Sequence, residues 1–409
     1  MNQTRRCVIV LLVLCSGLSC QFTQTKTGNS EAEKTSTAET STPSSTTNPN
    51  TFNGSMKDLQ EILTTLLPKI VDINQYNAPE NKKLIQDDVK KLILLSKNVS
   101  HSPSVSLKDP SVTFISQAFT EDLMKIDESL ALGKRDFARY NLMNLPAYCI
   151  ECHTRTSTGP SFRSPALDSA LKKMSGLERG EYLLATRQFD AALKEFSNFI
   201  DERLSKKNDF FSLDKAVRHA LSITVKYLKD PKKSLVIAEK VKNSKATPYY
   251  LRQNAVGWET AIQDWMKEKS PEDNTVAAIL KRCREWITKA QQMSVGLVDR
   301  GGDIYFLRAL SDLHQVLTSK LTPDQLGEAL YLTGLSYEAV KDLPPSSLHE
   351  DYYESCVRKV PHSSWSAKCF KRYEESVYFG YTGSSGVRLP EDEAKRLEVL
   401  RGLAFEPGQ

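Results

Sequence analysis

From Met56 onward the chain has no sustained run of alternating β-branched residues, and its apolar side chains recur at helical spacing. That periodicity predicts an all-α fold. Four segments fill residues 55 to 156. Leu59, Ile62, Leu63, Leu66 and Ile70 set a first helix over Met56 to Asn74. Leu84, Ile85, Val89, Leu92 and Leu95 set a second after Pro79, a residue suited to a first helical position. A polar stretch rich in Ser and Pro, 99–110, breaks the pattern. Phe114, Phe119, Leu123, Ile126 and Leu130 set a third from Ser111 to about Leu132, with Gly133 as a stop signal. The fourth starts near Lys134 and ends in Cys149-Ile150-Glu151-Cys152-His153, with a kink or a fresh turn at Pro146. Four amphipathic helices with short links predict an antiparallel four-helix bundle over residues 55–165.

Residues 166–409 read as helix pairs. The string Gly180-Glu181-Tyr182-Leu183-Leu184, then Arg187 to Ala192, then Phe196, places small and aromatic residues at the spacings of a helical repeat. A second match runs through Gly334, Tyr337, Tyr353 and Pro361, stretched by an insertion around Pro344-Pro345. The stretch 213–300 is helical in pattern and more weakly similar. On these residues the region resembles a tetratricopeptide-like (TPR-like) α-solenoid, which implies a surface for docking a protein partner; an irregular helical domain is the alternative.

The N-terminus reads as a targeting segment. Arg5 and Arg6 precede an uncharged apolar run, Cys7 to Cys15, which has the length of a signal-peptide core and is short for a membrane span. Gly17-Leu18-Ser19-Cys20 follows, and the segment resembles a lipoprotein signal with Cys20 as the acylated residue, although Gly17 stands where that pattern has Leu. Residues 1–20 are thus expected to be a signal peptide of lipoprotein type, with secretion to the periplasm as the alternative. Residues 21–54 are Ser, Thr, Asn, Glu and Pro with hardly an aliphatic side chain, which predicts a disordered tether of about 30 Å mean reach. The reading places the protein in a bacterial cell envelope, anchored by lipid to the outer membrane and facing the periplasm. A net charge of +5, with basic residues spread among acidic ones, gives no footprint for nucleic acid.

Cys149, Cys152 and His153 carry the chemistry. Two thiols three residues apart on a helical turn can each add to one vinyl group of the same haem, and the next residue presents imidazole to the iron. With 8 Cys and 6 His in 409 residues, chance supplies roughly 0.002 such strings. A structural zinc needs four ligands where this motif offers three, and a thioredoxin-type pair wants a βαβ setting. Together with Arg135-Asp136-Phe137-Ala138-Arg139 on the fourth helix, the motif at the end of a four-helix segment resembles the cytochrome c′ and c-556 group. The resemblance covers roughly residues 55–160 and implies one covalently bound haem c. In that group the distal position of the iron is open or holds a Met from the first helix. Here His101, between the second and third helices, is placed ahead of an open position, and Met56 after both; Met143 shares the proximal helix and is poorly placed. Two strong-field ligands favour electron transfer, and an open position favours ligand sensing. Arg155 and Arg163 are candidate partners for haem propionates.

Cys356 and Cys369 flank a turn at Pro361-His362-Ser363-Ser364 and are a candidate disulfide in an oxidising compartment, with Cys283 left as a buried thiol. Tyr378 to Gly386 reads as a turn that packs its tyrosines; it lacks the Lys-Ser/Thr ending of a phosphate loop. No Gly-X-Ser-X-Gly, His-Glu-X-X-His or placed carboxylate pair is present, so the chain is not expected to be an enzyme. The expectation is an exported monohaem cytochrome with a redox or signalling partner at its repeats. The alternative is an interaction scaffold of the cell envelope whose haem motif is structural or vestigial.

Overall fold

Asp72 breaks the first helical segment in two. Its carboxylate accepts the N–H groups of Asn74 (3.0 Å) and Gln75 (3.4 Å), which ends α1 (Phe52–Val71) and caps a short α2 (Ile73–Asn77). The single helix expected through Asn74 is therefore two. The structure, a computed structural model, describes residues 52–100, 110–155, 171–206, 209–294, 299–340, 348–384 and 386–405. The signal segment with Cys20, the tether, His101 and Arg163 lie outside the described residues.

Next come α3 (Pro79–Ser100), α4 (Pro110–Ala131), α5 (Arg135–Asn144) and α6 (Pro146–His153). Pro146 opens a new helix at its first turn, where a missing N–H costs nothing. α1 packs on α3, α3 on α4, and α4 on α5. Leu66, Ile70, Ile85, Val89, Leu92, Leu123 and Ile126 are buried together with Ala138 and Leu142. Burial of each Leu or Ile contributes about 1.5–3 kcal/mol. Leu84 was expected on this face but is 49% exposed, because Ile85, Val89 and Leu92 already define the buried stripe. Arg139 ties α5 to the end of α1, donating to the carbonyls of Ile70 (2.7 Å) and Val71 (2.8 Å) that the helix leaves unpaired. Arg135 lies over the Tyr76 ring and donates to its carbonyl, while Tyr76 Oη donates to the Arg135 carbonyl at 2.7 Å.

The C-terminal part continues with α7 (Gly176–Ala185), α8 (Phe189–Lys206) and α9 (Phe210–Leu221), which runs into a π-helical turn, Ser222–Tyr227. After it come α10 (Pro231–Asn243), α11 (Tyr249–Lys267), α12 (Val276–Gln292), α13 (Asp303–Leu317), α14 (Pro323–Ala339), α15 (Leu348–Lys359), α16 (Ser364–Gly380) and α17 (Glu391–Ala404). Sequence neighbours pack as pairs: α7 with α8, α10 with α11, α12 with α13, α14 with α15. Two pairs close on a glycine. A methyl group at Gly180 would stand 2.5 Å from Phe196 Cε1, and one at Gly334 would stand 2.4 Å from Tyr353 Cε1. The structure joins Cys356 on α15 to Cys369 on α16, with Cα atoms 6.2 Å apart.

The fold is all-α. Among the described residues the strands are β1 (Thr382–Gly383) and β2 (Gly386–Val387), paired antiparallel after α16. The tyrosines beside them, expected to pack, stay partly in solvent: Tyr378 is 40% and Tyr381 39% exposed. The hairpin is too short to fold back over them. The two apolar cores interlock. Met174 and Tyr182 belong to the core of α1–α5, whereas Ile115 and Ile150 belong to the larger C-terminal core, and the described residues fall in one compact unit. Among the described residues no helix is long and apolar enough to cross a membrane.

Candidate cofactor attachment site

Cys149, Cys152 and His153 share one side of α6. At about 100° per residue, spacings of three and four residues bring all three within an arc of roughly 100°. Both cysteines pack against the larger core. Burial pushes the Cys149 thiol up to about 11, so it is a neutral thiol at pH 7. Two clefts beside α6 open toward its other side. One is lined by Met143, Pro146, Ala147, Ile150, Glu181 and His219; the second shares Met143, Pro146 and Glu181.

The imidazole of His153 is fixed by a backbone carbonyl. Its Nδ1 lies 2.5 Å from the carbonyl oxygen of Ala185, at the end of α7. A carbonyl only accepts, so Nδ1 carries the proton and Nε2 is the nitrogen with the lone pair. Burial lowers the His153 pKa, the Ala185 carbonyl opposes that shift, and the Arg187 guanidinium adds to it, so the ring is neutral at pH 7. A neutral imidazole whose Nδ1–H is held by a carbonyl is the form in which histidine binds a metal through Nε2. Arg187 sits between α7 and α8 with φ 62°, a left-handed conformation uncommon outside glycine, and its Nη1 donates to the His153 carbonyl at 2.5 Å.

A buried polar network closes over the C-terminal end of α6. Tyr337 Oη on α14 donates to Glu151 at 2.8 Å. The same oxygen accepts from His314 Nε2 (3.0 Å) and from Arg155 (3.3 Å). Arg155 also donates to Tyr352 Oη at 2.6 Å. The Tyr337 and Tyr352 rings stack with centroids 5.4 Å apart. Lys226, on the π-helical turn, donates to Thr154 Oγ1 at 3.1 Å and lies 3.8 Å from Glu151. Such turns widen the helix by one residue and recur at functional sites. Burial lowers the Lys226 pKa, Glu151 counters it, and Arg155 adds to it. His314 is held well below the usual range by burial, with Arg155 and Lys226 contributing, so it donates through Nε2 as a neutral ring.

The sequence candidates do not all meet here. Met56 packs with the core of α1–α5, while His153 packs on α7. Arg155 is buried against two tyrosines of the C-terminal helices rather than solvated. Cys283 is a buried thiol on α12 whose pKa burial raises. Sequence reading did not pick out Glu151, Lys226, His314, Arg187 or Tyr352. The one local sign was a lysine inside the apolar run Ile223-Thr224-Val225-Lys226-Tyr227. Among the described residues no group of three or more His, Cys, Asp and Glu side chains is placed to hold a metal ion by itself. The donor set nevertheless suits a haem, which brings four of the iron's ligands itself and asks the chain for two thiols and one neutral imidazole. No family model, no curated protein and no solved structure matches this chain.

Proposed function

We propose that this chain is an exported monohaem c-type cytochrome. Cys149 and Cys152 would hold the haem as thioethers, and His153 Nε2 would bind the iron. The observation that carries the reading is the hydrogen bond from His153 Nδ1–H to the Ala185 carbonyl, on the same side of α6 as both thiols. That bond sets the tautomer, orients the ring and raises its basicity as a ligand. A rival reading as a dithiol redox pair is disfavoured, because Cys149 is held as a thiol by burial where such pairs need a thiolate.

Haem, when bound, supplies a one-electron couple or a site for a diatomic ligand. The chain's own groups do the rest. Ala185 holds the imidazole proton, Arg187 ties the end of α6, and the Glu151, Tyr337 and Arg155 network keeps water from that end. In this reading α1, α3, α4 and the pair α5–α6 make the four-helix bundle, and the helix pairs from α7 onward make a TPR-like solenoid that docks a redox or signalling partner. The close contacts of Gly180 with Phe196 and of Gly334 with Tyr353 support the repeat, since both matched segments use a glycine to let an aromatic ring in. His101 is the favoured distal ligand, ahead of an open position and of Met56. Cys20 carries the lipid, and the protein faces the periplasm.

The test is expression through an export pathway with haem-attachment machinery, followed by acid–acetone extraction and a pyridine haemochrome spectrum. Covalent haem in the parent, and none after Cys149→Ser with Cys152→Ser, supports the reading. No covalent haem in the parent overturns it and leaves an envelope scaffold of helical repeats. A low-spin spectrum then assigns electron transfer, and a high-spin spectrum that shifts with CO assigns ligand sensing.

A further inference from the structure

The segment that follows His153 is gripped by a residue that the motif does not contain. Lys226 stands on the π-helical turn 222–227 and is 5% exposed. Its ammonium contacts Thr154 and Glu151, which bracket Cys152 and His153 in sequence. Glu151 is in turn fixed by Tyr337 Oη, and Arg155 lies against the same tyrosine. A buried lysine thus faces a buried carboxylate at the end of the attachment helix, in a place where water screens little.

We infer that Lys226 is a positioning residue that sets the electron affinity of the attachment site, with Glu151 as its opposing charge and Tyr337 holding both in register. This rests on the haem reading above. Reduction of a c-type centre adds one electron from an external donor and neither makes nor breaks a bond at the protein. The added negative charge is favoured by a nearby buried cation and disfavoured by a nearby buried carboxylate. The two side chains must therefore act in opposite directions, which a purely structural role does not require.

The experiment is spectroelectrochemical titration of the full-length haem-loaded protein with redox mediators. Lys226→Met is expected to lower the ferrous-to-ferric ratio at a fixed applied potential at least tenfold, a shift of about 59 mV for a one-electron couple. Lys226→Arg should keep the parent midpoint to within threefold in that ratio. Glu151→Gln should shift the midpoint upward. Lys229→Met removes a half-exposed lysine that pairs with Asp312, and it should leave the midpoint in place. If Lys226→Met does not fold, the unchanged midpoint of Lys226→Arg together with the upward shift of Glu151→Gln still decides, and a Glu151→Gln midpoint equal to the parent's overturns the inference. An unchanged midpoint in Lys226→Met, or a downward shift in Glu151→Gln, overturns the inference while leaving covalent haem intact. A parent protein without covalent haem overturns both.

Discussion

Gly180 gives the most direct test of how the helix pairs close. Its hydrogen faces the ring of Phe196, and a methyl group there would meet three ring atoms at 2.5, 2.7 and 2.9 Å, where ordinary contact begins at 3.4 Å. The ring has little room to retreat. Phe196 is fully buried and stacks on His219, with centroids 5.2 Å apart and planes inclined by 19°. His219 is fixed in turn by Glu181 at 2.9 Å. Overpacking of this kind costs about 1–3 kcal/mol. Replacing a helical glycine by alanine offsets about 0.5–1 kcal/mol of that. Gly180→Ala should therefore lose about 1–2 kcal/mol in urea unfolding followed by far-ultraviolet circular dichroism. Phe196→Leu should recover part of the loss when combined with it, because the shorter side chain vacates the same space. Gly402→Ala, where nothing lies within 4 Å, is the control and should gain about 0.5–1 kcal/mol. A Gly180→Ala variant as stable as the parent, or strictly additive losses in the double variant, would refute the close approach of α7 and α8.

Tyr337→Phe removes the donor to Glu151 and the acceptor of His314, so it should cost about 3 kcal/mol by denaturant unfolding, the scale of a lost hydrogen bond to a charged group. Burial, with repulsion from Glu354, Glu350 and Glu121 against attraction from Arg396, pushes Asp351 up to about 7. Folding then takes up a proton at this residue between pH about 4 and about 7, so stability falls as pH rises through that window and levels off above it. Asp351→Asn should raise the melting temperature at pH 8 and leave it unchanged at pH 4. Replacing Cys356 and Cys369 together with Ala should lower stability by about 3 kcal/mol, the value for a closed loop of this size, and reduction of the parent should reproduce the loss.

The sequence made the helices legible because most are amphipathic and punctuated by strong signals. Ser175 caps α7 with Glu178 reaching back, and Pro146 and Pro323 sit in first turns. Asp72 was harder to read, since its effect depends on one carboxylate folding back onto its own backbone. The thiols and imidazole were legible as a spacing. Their surroundings were not, because the groups that meet Glu151, Thr154 and Arg155 come from far along the chain. Lys226 meets Thr154 across 72 positions and Arg155 meets Tyr352 across 197. A lone lysine in an apolar run, or a tyrosine matching a repeat, carries no sign of the partner it will find. Leu84 shows the complementary limit: periodicity finds the buried stripe but not its edge.

The reach of the network also imposes a schedule. Tyr337 closes on Glu151 from 186 residues downstream. A chain synthesised from its N-terminus presents α6 long before α13, α14 and α15 have followed. Throughout that interval Glu151 and Arg155 lack the tyrosines that fix them in the folded chain. Arrival of His314, Tyr337 and Tyr352 then seals the helix from its C-terminal end. The second half of the sequence is thereby the closing clasp on a helix made much earlier.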